Sequence, residues 1–282
     1  MSNYIELRYL DLAIPALLIL LNGGLSLWLR LGLERQLLIS AFRMVVQLIL
    51  VGYVLLFLFR VVSPAWTGFA AAAMILFAGR EIVARQSRPI SGLWAYGLGT
   101  GCMLFAAGAV TALALLTQLR PEPWYHPRYA LPLLGMVLGN TMTGISLGLD
   151  VLTHGLQRSR AAVEAQLALG ATRWNAMLPV TRDALRSGFM PIINAMAASG
   201  LVSLPGMMTG QILAGVEPTD AVKYQLLVMF LIAGGTGIGT LSAVVGGVYR
   251  LSDDRHRLRL DRLAPPHAPL RRRSRTTMQP ES

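Results

Sequence analysis

The chain is 282 residues long, with 54% apolar residues, 14% charged residues and a formal net charge of +11. A sequence this apolar, with several long uncharged runs, excludes a disordered polyelectrolyte and fits a chain built for a bilayer. Its single cysteine, Cys102, excludes an intramolecular disulfide and a thiolate metal cluster.

A membrane-crossing helix needs roughly 20 mostly apolar residues. Seven segments are expected to cross: Leu10 to Leu29, Leu37 to Phe59, Pro64 to Ala78, Leu93 to Leu116, Leu131 to Leu149, Phe189 to Leu213 and Tyr224 to Val248. They are too long and too uniformly apolar for barrel strands, so the expected fold class is an all-α membrane protein. The first segment is preceded by Glu6 and Asp11 instead of a basic region, so it is expected to be a retained span and not a cleaved signal.

The second segment carries Arg43, with Gln47 one turn further along the same face. A charge in the hydrocarbon costs at least about 2.5 kcal/mol and calls for a partner. Glu81, at the end of the third segment, is expected at a similar depth, which suggests an Arg43–Glu81 pair. Snorkelling of Arg43 to the interface accounts for the same residue equally well.

Between the fourth and fifth segments, Thr117 to Ala130 holds three prolines with Trp124 and Tyr125, the pattern of a rigid interfacial cap. The fifth segment carries Asn140 and Thr141 near its middle. The long polar stretch from 150 to 188 follows, and within it Val163 to Pro179 reads VEAQLALGATRWNAMLP. Val163, Leu167, Gly170, Trp174 and Leu178 recur at helical spacing, with Glu164, Arg173 and Asn175 on the other face. Gly170 weakens this helix and Pro179 is expected to end it, so the pattern describes a short amphipathic helix with a bend.

The sixth segment holds Asn194 and Gln211, and Pro205-Gly206 is expected to kink or break it. Asn140, Thr141, Asn194 and Gln211, with Arg43, Gln47 and Glu81, are candidates to line a translocation pathway; polar contacts between helices are the commoner use of such residues. Met207 and Met208 beside the break are candidate soft-metal ligands, and methionine is equally ordinary core filling. Gly234, Gly235, Gly237, Gly239, Gly246 and Gly247 give the seventh segment small faces for close packing. After Tyr249 the composition changes: the chain is expected to prolong the helix briefly, and residues 264–282 form a basic tail, expected to be disordered and to adhere to anionic lipid. The body of the protein, 1–263, is expected to be one transmembrane domain.

Basic residues fall in alternating loops. Arg30, Arg35, Arg80, Arg85, Arg88, Arg158, Arg160, Arg173, Arg182, Arg186 and nine arginines between Arg250 and Arg275 share one side, 19 in all, against five on the other. The positive-inside bias puts that side in the cytoplasm, giving an external N-terminus and an internal C-terminus. The same alternation argues against a nucleic-acid partner. The chain has no Walker A sequence, no metalloprotease motif and no nucleophile elbow, so no catalytic residue is assigned and no cofactor is expected on it. A secondary transporter or channel, acting without an ATPase, and a membrane scaffold are the competing classes.

Glu164-Ala165, Gly170 and Leu178-Pro179 resemble the EAA loop of ABC-transporter permeases, although the Leu-Pro arrives about four residues early and Gln166 replaces a small residue. RMVVQLILVGYVL (43–55), LGMVLGNTMTGISLGL (134–149) and NAMAASGLVSLPGMMTGQILAGVEPTDAVKYQ (194–225) are similar to the FetB-type iron-export permeases, a family that includes plant aluminium-tolerance proteins. The resemblance extends to about Leu263. It implies a multi-pass permease of the bacterial inner membrane, paired as a homodimer with two cytoplasmic ATPases that bind ATP and Mg. It also implies that Glu164, Ala165, Gly170, Trp174, Leu178 and Pro179 dock the ATPase. The cargo it implies is iron for bacterial members, while plant relatives are linked to aluminium tolerance and a nucleotide sugar.

Overall fold

A computed structural model describes residues 9–253 and 255–265. Among these the chain is helical, with no β-strand. The helices are α1 (Ala13–Trp28), α2 (Glu34–Arg60), α3 (Pro64–Arg85), α4 (Leu93–Leu119), α5 (Pro127–Arg158), α6 (Arg160–Ala168), α7 (Arg173–Ala198), α8 (Gly206–Leu213) and α9 (Pro218–Arg250). Five of them, α2, α3, α4, α5 and α9, are long and apolar enough to cross a membrane, and α1 is a shorter apolar helix. Helices whose outer faces are this apolar require lipid: Trp28 is 79% exposed, Ile14 74%, Phe42 73% and Phe69 69%.

The expected sixth crossing is divided. Helix α7 ends at Ala198, and the chain turns through Gly200 (φ 88°), whose N–H donates to the Ser203 carbonyl, before α8 starts at Gly206. Pro205 has no N–H to give a continuing helix, so it occupies the position just before α8, as the Pro-Gly pair led us to expect. The expectation that Pro179 ends a helix is overturned. Helix α7 runs through both Pro179 and Pro191, and Pro132 lies inside α5. Each proline falls within a helix whose neighbours along the chain keep helical geometry, so the lost hydrogen bond is confined to one turn.

The chain resolves into two compact units, each considered for its described residues. The first draws on Met1–Ala71, Leu115–Leu133 and Ser199–Val228; the second on Ala72–Ala114, Leu134–Ala198 and Met229–Ser282. In the first unit, α1 and α2 form a hairpin. Arg30 takes a left-handed conformation (φ 52°), and Leu31 N–H returns to the Ser26 carbonyl. The buried Ser26 hydroxyl accepts from Leu33 N–H at 3.0 Å and donates to Glu34 at 3.1 Å, tying the two helices.

The second unit is held by very close helix approach. A Cβ placed on Gly188 of α7 would lie 2.7 Å from the Gly144 carbonyl oxygen of α5, and one on Gly144 would lie 2.6 Å from the Thr240 hydroxyl of α9. Gly148, Gly235 and Gly239 likewise lie where a side chain would strike a neighbour from α5 or α9. Only glycine lets α5 and α7 meet backbone to backbone with the α9 threonines seated on them, and dispersion across the contact replaces the hydrophobic drive that lipid does not supply. Val137, Ile145, Leu149, Leu152, Val244 and Val248 fill the space beside these crossings.

The expected extension of the last helix is also overturned. Helix α9 stops at Arg250, and residues 251–253 and 255–265 fold back as a strap. Arg259 N–H bonds the Leu251 carbonyl, Arg262 Nη1 donates to the Arg250 carbonyl at 2.7 Å, and Ser91 and Ala264 exchange backbone hydrogen bonds with Arg262 and Pro89. Leu258, Leu260 and Leu263 supply apolar contacts that a solvated helix extension would have exposed. Of the expected basic tail, Ala264 and Pro265 belong to this strap; the remainder lies outside the described residues.

Candidate coupling and translocation site

The amphipathic pattern of Val163 to Pro179 folds as two helices joined by a sharp turn. Helix α6 ends in a left-handed glycine, Gly170 (φ 90°), with Gly170 N–H bonded to the Leu167 carbonyl and Ala171 N–H to that of Gln166. This double closure satisfies the last carbonyls of α6 and reverses the chain. Helix α7 then starts from Thr172, whose hydroxyl accepts from Asn175 N–H at 3.3 Å. The first N–H of α7, that of Arg173, donates to His256 Nδ1 of the strap at 3.2 Å, and the Arg173 guanidinium lies over the Tyr249 ring at 4.8 Å.

These contacts fix the turn while leaving α6 largely uncovered. Val163 alone on α6 is buried; Glu164 and Ala165 are exposed, and Leu169 is 88% exposed. Glu164 pairs with Arg160 at 2.8 Å, one turn earlier, a surface pair that contributes at most about 1 kcal/mol. Trp174 and Pro179 are exposed and Leu178 is half-buried, so the six residues assigned to the coupling element occupy α6, its closing turn and the first two turns of α7. The strap turn is itself braced by Asp253, whose carboxylate accepts from Arg257 and Arg255 N–H; the Arg257 backbone bond, aided by its guanidinium, holds this carboxyl below the usual carboxylate range.

The candidate pathway residues divide between the units. Arg43, Gln47 and Gln211 belong to the first, where Arg43 and Gln47 lie on exposed positions of α2 and the Gln211 carbonyl oxygen is buried without a hydrogen-bond partner. Glu81, Asn140, Thr141 and Asn194 belong to the second. There Asn140 is exposed and donates to the Met136 carbonyl, whereas Thr141 is fully buried at the crossing with α9 and is packing against Gly239. Asn194 is on an exposed position of α7.

The second unit adds residues that sequence reasoning did not select. Arg85 lies 4.0 Å from Glu81 and 3.5 Å from the Thr143 hydroxyl, so Glu81, Arg85, Thr143 and Asn140 form a polar strip along α3 and α5. It continues to Asp150, which accepts from Ser87 N–H at 2.8 Å and lies 3.8 Å from His154. Positions 140, 143, 150 and 154 share one helical face, a signal present in the sequence but hidden because apolar Leu147 interrupts it and it crosses from the apolar run into the loop. Met207 and Met208 open α8, both half-buried. No group of three or more His, Cys, Asp and Glu side chains able to hold a metal occurs among the described residues.

A family model described as "Uncharacterised protein family (UPF0014)" matches residues 9–251. The UPF0014 membrane protein slr1647 of Synechocystis is 38% identical over 89% of this chain and 96% of its own length. The probable iron export permease protein FetB of Escherichia coli is 31% identical over 88% of this chain and 93% of its own. The Arabidopsis thaliana protein ALUMINUM SENSITIVE 3 is 32% identical, covering 82% of each. No solved structure matches the chain.

Proposed function

The chain belongs to the UPF0014 family of multi-pass membrane proteins, and from that membership we propose that it is the permease subunit of an ABC transporter, driven by a separate cytoplasmic ATPase. The observation that carries this reading is the exposed helix α6, closed by the Gly170 turn and joined rigidly to α7. A helix of nine residues that buries one side chain cannot persist on its own packing. Its uncovered face suits a partner, and the chain's lack of a Walker A sequence makes an ATPase the fitting one.

In this mechanism ATP closes two ATPases beneath a pair of permeases. Glu164 makes a polar contact with the partner, Ala165 and Leu169 give it an apolar seat, and Gly170 permits close approach. Motion of α6 passes through the turn to α7 and through α5, which precedes it directly. Because α5 and α7 meet backbone to backbone and α9 packs Thr236, Thr240 and Val244 onto the same glycines, the three helices respond as a block and not by bending. Within the second unit, the polar strip of Glu81, Arg85, Thr143 and Asn140, with Asn194, is then exposed alternately to the two sides. The name of the Escherichia coli relative points to iron as the cargo and export as the direction. Carboxylate, amide and hydroxyl oxygens along such a route suit a hard or borderline cation held loosely enough to leave. The positive-inside distribution supports an inner-membrane location with α6 in the cytoplasm.

A Gly170→Asp variant tests the docking role, since it puts a charge and a side chain at a left-handed position that faces open space. It is expected to insert in the membrane normally and to lose partner-stimulated ATP hydrolysis. Normal stimulation would rule out docking at this turn.

A further inference from the structure

Where the α3–α4 loop, the junction of α5 with α6 and the C-terminal strap meet, they line an open pocket of about 530 Å³ formed by Arg88, Gln157, Arg160, Leu260, Leu263 and Pro265. Its two charged lining groups are both arginines. Arg88 Nη1 donates to the Gln157 carbonyl oxygen at 3.0 Å, which turns the amide nitrogen of Gln157 away from it, and that nitrogen is buried with no acceptor. With no carboxylate in the lining, the two guanidinium groups leave this pocket cationic, a charge that a bound anion would offset. Opposite the donors, the strap contributes an apolar wall of leucine and proline.

We propose that this pocket binds a phosphate group, Arg88 and Arg160 supplying charge-assisted hydrogen bonds. Guanidinium forks match phosphate oxygens in pairs, and a site with several such donors and no lining carboxylate selects a multiply accepting anion. The strap wall fits the glycerol and first methylenes of an anionic phospholipid; a soluble phosphate would use the polar half alone. Arg160 also holds Glu164 of α6, so a phosphate drawing on Arg160 competes with that carboxylate and alters the helix offered to the partner. The site stands on its own residues and does not require the ATPase-coupled reading.

The test is a titration of the full chain, stripped of lipid in neutral detergent, followed by native mass spectrometry. The probes are phosphatidylglycerol, phosphatidylcholine and inorganic phosphate at matched ionic strength. Saturable binding of phosphatidylglycerol but not phosphatidylcholine identifies a lipid headgroup, and equal binding of inorganic phosphate identifies a soluble anion; either supports the site. Arg88→Gln and Arg160→Gln should each weaken binding by roughly tenfold or more, as loss of one charged hydrogen bond implies. Because Arg160 is largely exposed, its variant should fold even if that of Arg88 does not. Arg186→Gln, on an exposed turn of α7, should bind as wild type. Absence of anion binding, or equal weakening by Arg186→Gln, would overturn the proposal.

Discussion

At the residue scale, single glycines carry much of the second unit. Gly188→Ala should destabilise the protein by about 1–3 kcal/mol, because the new methyl meets the Gly144 backbone and Thr240, neither of which can move freely. Gly206→Ala, which meets nothing within 4 Å, should leave the midpoint of thermal unfolding in detergent within error of wild type. Comparing the two midpoints checks the packing account, and equal midpoints would remove it. The glycines of the last span announced close packing in the sequence, and Gly235, Gly239, Gly246 and Gly247 do meet neighbours, whereas Gly234 faces open space. The glycines of the facing helices, Gly144, Gly148 and Gly188, were not legible, because an isolated glycine in an apolar run does not reveal which face it occupies. Thr141 illustrates the same limit: it looked like a pathway residue and is buried packing, while its neighbour Asn140 is exposed.

At the element scale, the sequence suggested a bend at Gly170 inside one short helix, whereas a left-handed glycine there closes α6 and α7 begins anew. The length of α7 was not legible. Prolines at 179 and 191 argue locally for a break, and the tertiary contacts of Ala176, Met177, Val180, Ala184 and Ile192 outweigh them. The strap was hidden for a different reason: its arginines and aspartates resemble solvated tail, and their pairing within a turn depends on chain reversal after Arg250. Because His256 accepts the first N–H of α7, His256→Ala leaves that donor without its partner. Trypsin should then cut within 251–265 at least several times faster than in wild type, while the membrane helices remain protected. Unchanged cleavage would mean that the strap is held by its other hydrogen bonds, to Pro89, Ser91 and Arg250, without the His256 contact.

At the scale of the whole molecule, hydropathy identified a multi-pass helical protein and charge gave an orientation. Five helices are long and apolar enough to cross against seven expected segments, with α7 mixing polar and apolar turns and a proline-glycine break dividing the sixth segment. Orientation is checked by single cysteines placed at Leu169 and Trp124 in a Cys102→Ser background. A membrane-impermeant thiol reagent added outside intact cells should label position 124 and spare 169; the reverse pattern would invert the topology and detach α6 from any cytoplasmic partner. The central claim, that this chain transports only when an ATPase moves it, is tested most directly by iron(II) flux in proteoliposomes. Vesicles holding the chain together with the ATPase that co-purifies with it should move iron(II) only when ATP is supplied, and vesicles with the chain alone should not. Flux by the chain alone, at the same rate with or without ATP, would contradict the account.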